Sequence, residues 1–281
     1  MRPLFTRVLG IVTALAMCAG TASAYYFYVH YNSRTAPFSP IVEKFDLNSL
    51  QNSTVYFYIS DTGPAGMPPG DSFTAIVSEI RTAADKWNTV PTSALRVQYG
   101  GLYTASAGQI NSGITVEFSN DLPPGVIALG GPITYAGPNN GQFVPIQRST
   151  IRVQNDLSQP ATACSNSACP SYSEYFFTTM VHEFGHTLGL QHTFTSAVMS
   201  TAVTSAATKA SPLAPDDIAG VSMLYPALGY AATVGSIAGR VTVNGAGVSL
   251  ASVVALSLDS PAISTLTNPD GTYRLDDRPP E

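Results

Sequence analysis

Charge is scarce in this chain. Only 11% of its 281 residues are Asp, Glu, Lys or Arg, and lysine occurs three times, at Lys44, Lys86 and Lys209. No basic cluster lies beyond the N-terminus, so nucleic-acid binding has no electrostatic footprint. The net charge of -5 is mild. Hydrophobic residues make up 44% of the chain, which argues against disorder. With abundant Gly, Pro, Ser, Thr and Ala, that profile suits a β-rich secreted protein. The apolar run Val8 to Ala19 is too short for a comfortable membrane span. Histidine is rare too, with four in all.

The N-terminus reads as a secretory signal. Arg2 and Arg7 give a positive start, the apolar run follows, and Ala22-Ser23-Ala24 fits small-x-small cleavage after residue 24. A lipoprotein signal ending at Cys18 is a rival reading, though Met17 is a poor residue before such a cysteine. An uncleaved N-terminal anchor is a third. Cleavage after Ala24 leaves two cysteines, Cys164 and Cys169. An even pair in an exported protein reads as a disulfide, with two free thiols or a metal-binding pair as the alternatives.

Three of the four histidines fall in one stretch, His182-Glu-Phe-Gly-His186-Thr-Leu-Gly-Leu-Gln-His192. Positions four apart share a helix face, so His182 and His186 can grip one metal ion, with Glu183 as the base beside it. His192 is six residues further on, and at about 100° per residue a continuous helix would carry it to another face. Gly189 resolves this, because glycine tolerates positive φ and can turn the chain back. Three neutral nitrogens leave one tetrahedral position open, as catalytic zinc requires.

Periodicity outlines the rest. Val55, Phe57 and Ile59 alternate with Tyr56 and Tyr58 as a strand. Phe73, Ile76, Val77, Ile80, Ala84 and Trp87 predict a helix with Asp71 capping its start. Strands are expected around Leu95–Tyr99, Ile114–Phe118, Leu129–Tyr135 and Ile151–Val153. The glycines and proline within Leu129–Tyr135 suit an edge strand. Ser171-x-x-Glu174 reads as a capping box opening the histidine helix. Beyond Gly229, strand-like runs recur at 236–243, 248–258 and 263–266. Asn268-Pro-Asp-Gly271 then forms a turn before Thr272–Leu275. Tyr25 to about Leu50 could be a spacer, a brief propeptide or a first strand. His30 has no partner in the pattern and is read as a non-ligand.

The histidine motif resembles that of the metzincin metalloproteases, and "VHEFGHTLGLQH" is most similar to the matrixin branch. That family has a methionine turn after the third histidine, and Ala197-Val198-Met199-Ser200 stands there in this chain. It also has a closing helix with Asp-Asp-Ile, matched by Asp216-Asp217-Ile218. Thr193 and Thr201 depart from its usual serine and proline, and no Pro-Arg-Cys-Gly latency segment is present.

The resemblance implies an α+β domain, a twisted mixed sheet with an active-site helix and a C-terminal helix. It implies a secreted, monomeric zinc endopeptidase with His182, His186 and His192 as metal ligands. Glu183 would be the general base to a zinc-activated water, and Met199 a hydrophobic floor. The substrate would be a protein or peptide bound as an extended strand. Acid pH should reduce activity as protons compete for the imidazoles. A simple capping role for Asp216 and Asp217 is at least as well supported as a catalytic one. The resemblance also admits structural calcium, with Asp121, Asn139, Asn140 and Asp156 as candidate oxygen ligands, although no calcium-loop pattern is present.

"GSIAGRVTVNGAGVSLASVVA…TNPDGTYRL" is similar to the carboxypeptidase-regulatory-like β-sandwich, in an incomplete form. The resulting division is a signal at 1–24, an N-terminal segment at 25–50, a protease domain at 51–229 and a partial β module at 230–281. The alternative function is a catalytically silent binding or adhesion protein that works through this C-terminal module.

Overall fold

The computed structural model describes residues 26–31, 33–38, 40–104, 110–134, 142–158, 172–201, 207–256 and 262–278. The signal segment, the Cys164–Cys169 pair, the Ser171 cap and two calcium candidates, Asn139 and Asn140, lie outside the described residues.

The first elements are strands β1 (Val29–Tyr31), β2 (Pro40–Lys44) and β3 (Val55–Ser60), then helix α1 (Phe73–Trp87). Four strands follow: β4 (Val97–Tyr103), β5 (Gly113–Ser119), β6 (Ala128–Thr134) and β7 (Val144–Gln154). Helices α2 (Tyr172–Thr187) and α3 (Pro215–Leu224) come next. Beyond them lie β8 (Gly235–Arg240), β9 (Thr242–Val243), β10 (Ala246–Gly247), β11 (Ser252–Ala255), β12 (Ile263–Leu266) and β13 (Thr272–Arg278).

One sheet takes β1 to β7, in the order β1-β2-β7-β5-β3-β4, with β6 pairing β7 alone. The pairs β2–β7, β7–β5, β5–β3 and β3–β4 are parallel, while β6 runs antiparallel to β7. The sheet is therefore mixed, and β6 is an edge strand. Its Pro132 has no N–H to give a ladder, a lack that edges tolerate. Residues 25–50, ambiguous in sequence, contribute β1 and β2 to this sheet.

Alternation in β3 buries Val55, Phe57 and Ile59 completely against the helices. Helix α1 turns Ile76, Ile80, Ala83, Ala84 and Trp87 inward. Its cap differs from the expectation: Ser72 accepts the Ala75 N–H at 3.2 Å, while Asp71 accepts the N–H of Ser72. The shorter serine stands at the extended residue immediately before the first turn, where a cap must be. Trp87 is fully buried and donates its indole N–H to the Val181 carbonyl at 3.0 Å, tying α1 to α2.

The C-terminal strands form three antiparallel pairs, β9–β10, β11–β12 and β8–β13. Among its described residues, 248–256, the run expected over 248–258 is a strand only at Ser252–Ala255. Leu250 just before it takes a left-handed φ of 57°, which breaks the extended chain. Ala255, Ile263 and Leu275 are buried in the same core cluster as the main sheet. Among the described residues, no helix is long and apolar enough to cross a membrane.

Candidate metal centre and active-site cleft

Helix α2 presents His182 and His186 a turn apart, and the chain must then double back. It does so at Gly189, which takes φ +106°. A Cβ there would also lie 2.4 Å from the Glu43 carbonyl oxygen. Only glycine meets both demands. His192 returns to the other two, and the three ligand atoms lie within 4.8 Å of one another. His192 Nε2 is 3.1 Å from His186 Nε2 and 3.2 Å from His182 Nε2.

The second ring nitrogens decide what those short distances mean. His182 Nδ1 lies 2.6 Å from the Val198 carbonyl and His186 Nδ1 lies 2.9 Å from that of Leu190. A carbonyl only accepts, so each Nδ1 carries the proton and each Nε2 offers a lone pair. Lone pairs converging at this range repel unless a cation sits between them. Tetrahedral zinc with bonds of about 2.0–2.1 Å sets its nitrogens about 3.3 Å apart. The triad fits zinc in donor type, tautomer and spacing. Burial drives the His182 imidazole down to about 4 and that of His186 to about 3. Burial also lowers His192. The imidazoles are thus neutral and ready to ligate at neutral pH.

Glu183 is buried, and its carboxylate accepts the backbone N–H of Gly130 on edge strand β6. Burial lifts this carboxyl to about 8, opposed by the Gly130 bond. A bound dication would favour the ionised form. A cleft of about 390 Å³ opens onto Gly130, His182, Glu183, His186, His192 and Tyr28.

Met199 is buried beneath the helix, and a Cβ at Gly185 would lie 2.3 Å from its sulfur. The glycine inside the histidine motif thus makes room for the methionine. Asp217 does more than open α3. It accepts the Ala214 N–H at 2.8 Å, and also the N–H groups of Val198 at 2.9 Å and Met199 at 3.1 Å. The same Val198 carbonyl orients His182, so Asp217 holds a ligand through one intervening peptide. Burial pushes the Asp217 carboxyl up to about 7 against those three donors.

His30 is no ligand; its Nε2 lies 2.6 Å from Glu43. Among the described residues His182, His186 and His192 are the one cluster able to hold a metal. Asp121 and Asp156 join no such cluster. Sequence reasoning missed Tyr28 and Gly130. The Gly130-Gly131 pair inside a strand signals close backbone approach as well as an edge. Tyr28 lies more than 150 residues from the motif and had no local signal.

This sheet, helix and triad carry the signature of a zinc metalloprotease. Residues 74–226 match the family model described as Matrixin, and the chain belongs to that family. No curated protein matches the chain.

Proposed function

We propose that the chain is an exported zinc endopeptidase, with His182, His186 and His192 holding the metal and Glu183 acting as general base. The observation that carries this reading is Glu183 itself. A buried carboxylate is costly, and this one opens onto the cleft where three imidazole lone pairs converge. A zinc ion bound there would supply Lewis acidity, polarising the scissile carbonyl and lowering the pKa of water.

The protein's own groups do the rest. Glu183 takes a proton from the attacking water as the C–O bond forms. It delivers that proton to the amine as the C–N bond breaks. The Gly130 N–H fixes which carboxylate oxygen faces the cleft. Met199 supports the site from below as an apolar floor. The substrate is an extended peptide lying along β6, whose outer edge pairs with no strand among the described residues.

The same reading keeps 1–24 as a cleaved signal and 51–229 as the catalytic domain. The Cys164–Cys169 disulfide belongs to it as well. The three antiparallel pairs beyond Gly229 support 230–281 as a partial carboxypeptidase-regulatory-like module.

The test is zinc content together with chelator-sensitive cleavage of an unstructured protein by residues 25–281 and by Glu183→Gln. One zinc per chain in both, with cleavage only by the parent, is the expected result. Zinc uptake without cleavage by the parent would instead favour a binding protein.

A further inference from the structure

The three ligands are not held alike. His182 and His186 each have a carbonyl on Nδ1, whereas Nδ1 of His192 has no hydrogen-bond partner among the described residues. Outer hydrogen bonds normally orient a metal-binding imidazole. The position of His192 therefore depends on the backbone that carries it, which is tied at Gln191, whose N–H donates to the Tyr26 carbonyl, and at Thr193.

Thr193 is buried and held on two sides. Its N–H donates to the Met199 carbonyl at 2.8 Å. Its hydroxyl lies 2.7 Å from Asp216 Oδ2 and 2.9 Å from Ser264 Oγ. Thr195 adds a hydroxyl to Asp216 Oδ2 at 2.5 Å. The remaining donors to this buried carboxylate come from strand β12. The Ser264 N–H reaches Oδ1 at 2.9 Å and its hydroxyl reaches Oδ2 at 2.7 Å. Ser264 is fully buried, and its neighbour Ile263 belongs to the common core.

We propose that β12 braces the metal centre from behind, with Ser264 as a positioning residue that acts through Asp216 and Thr193 on His192. Asp216 and Thr193 lie inside the stretch that matches the family, 74–226, and Ser264 lies outside it. The brace is thus supplied by the C-terminal strands, and it gives them a part in the site. The Asp216 oxygens accept from Thr193, Thr195 and Ser264, so the side chain's geometry is set by the donors around it. Removing the serine hydroxyl leaves Asp216 free to turn toward the threonines and loosens the loop. This inference rests on the zinc reading above for its effect on metal, but the loop itself can be tested without metal.

The experiment uses residues 25–281 as parent, Ser264→Ala, Ser264→Thr and Asn268→Ala. Asn268 accepts the Tyr31 hydroxyl at 3.2 Å, away from the His192 loop, and controls for simple weakening of the C-terminal strands. Zinc affinity is read by competition with a chromophoric chelator, and amide exchange at Thr193 and Thr195 is read in the metal-free protein. Ser264→Ala should weaken zinc binding about tenfold, in the range found for outer-shell partners, and speed exchange at both amides. Ser264→Thr, which keeps the hydroxyl, should restore both. Unchanged exchange in Ser264→Ala overturns the brace, as does an equal loss of affinity in Asn268→Ala. A parent that takes up no zinc overturns the catalytic reading instead, and the exchange data still decide whether the loop is braced.

Discussion

The backbone N–H of Gly130 donates to the carboxylate of Glu183, so the edge strand and the proposed general base are one unit. A Cβ at residue 130 would lie 2.6 Å from the Glu183 carbonyl oxygen and 3.1 Å from its Oε2. Gly130→Ala is therefore expected to displace strand and base together. Misplacement of this kind costs on the order of 100-fold in rate, while the triad, on the helix and its return loop, keeps its zinc. Cleavage assays beside metal analysis check this, and full activity in Gly130→Ala would show that the contact does not position the base.

Burial of Glu183 has a consequence for stability in the metal-free chain. Its folded value, about 8, lies above the ordinary 4.5. The stabilising contribution is therefore complete below about 4.5 and disappears as pH rises through about 8. Glu183→Gln removes the ionisation. It should stabilise the metal-free protein at pH 9 relative to pH 5 by about 4 kcal/mol, measured by denaturant unfolding at both pH values. An equal effect at the two would mean that the carboxyl titrates normally.

The imidazoles behave in the opposite sense. Burial holds His182 at about 4 and His186 at about 3, below the ordinary 6.5. Their contribution to metal-free stability is present above about 6.5 and is lost as pH falls towards 4 and 3. Proton competition for the metal in the folded state is displaced downward in the same way. The acid loss of metal should thus come near pH 4 rather than near 6.5, whatever the protonation of Glu183 does to activity. Equilibrium dialysis against zinc across pH 3–7 measures it, and half-loss of metal at pH 6.5 would contradict the burial argument.

What could be read from sequence follows physical range. The ligand set was legible because a helix brings positions four apart together and a glycine marks the return, all within eleven residues. The β3 strand and the α1 helix were legible from apolar period alone. Contacts made across the chain were not. Asp217 looked like a helix cap, and it is one, yet its hold on Val198 and Met199 appears only when α3 packs beside the loop. Ser264 sits 48 residues beyond Asp216 in a strand whose pattern shows burial but no partner. The Asp71 cap failed by one residue, because neighbouring polar side chains compete for one turn and the choice depends on φ and ψ.

Tyr28 illustrates the same range most sharply and yields the last prediction. Its backbone N–H donates to the Gly189 carbonyl at 3.0 Å, and its carbonyl accepts the Glu43 N–H at 2.8 Å. The ring meets His186 edge-on with centroids 6.2 Å apart, on the wall of the cleft. A Cβ at Gly131 would lie 3.8 Å from the phenol oxygen. Burial, then the charges of Glu183 and Glu43, raise the phenol above its usual value, so it stays a neutral donor at working pH. A peptide bound in the cleft as proposed would therefore meet both a ring and an O–H. Tyr28→Phe keeps the ring and removes the donor, and should raise KM several-fold with little change in zinc binding. Tyr28→Ala opens the wall between His186 and β6 and should change which side chains are accepted next to the scissile bond. Profiling both variants on a peptide library separates the two effects, and identical KM and selectivity in all three proteins would remove Tyr28 from the substrate site.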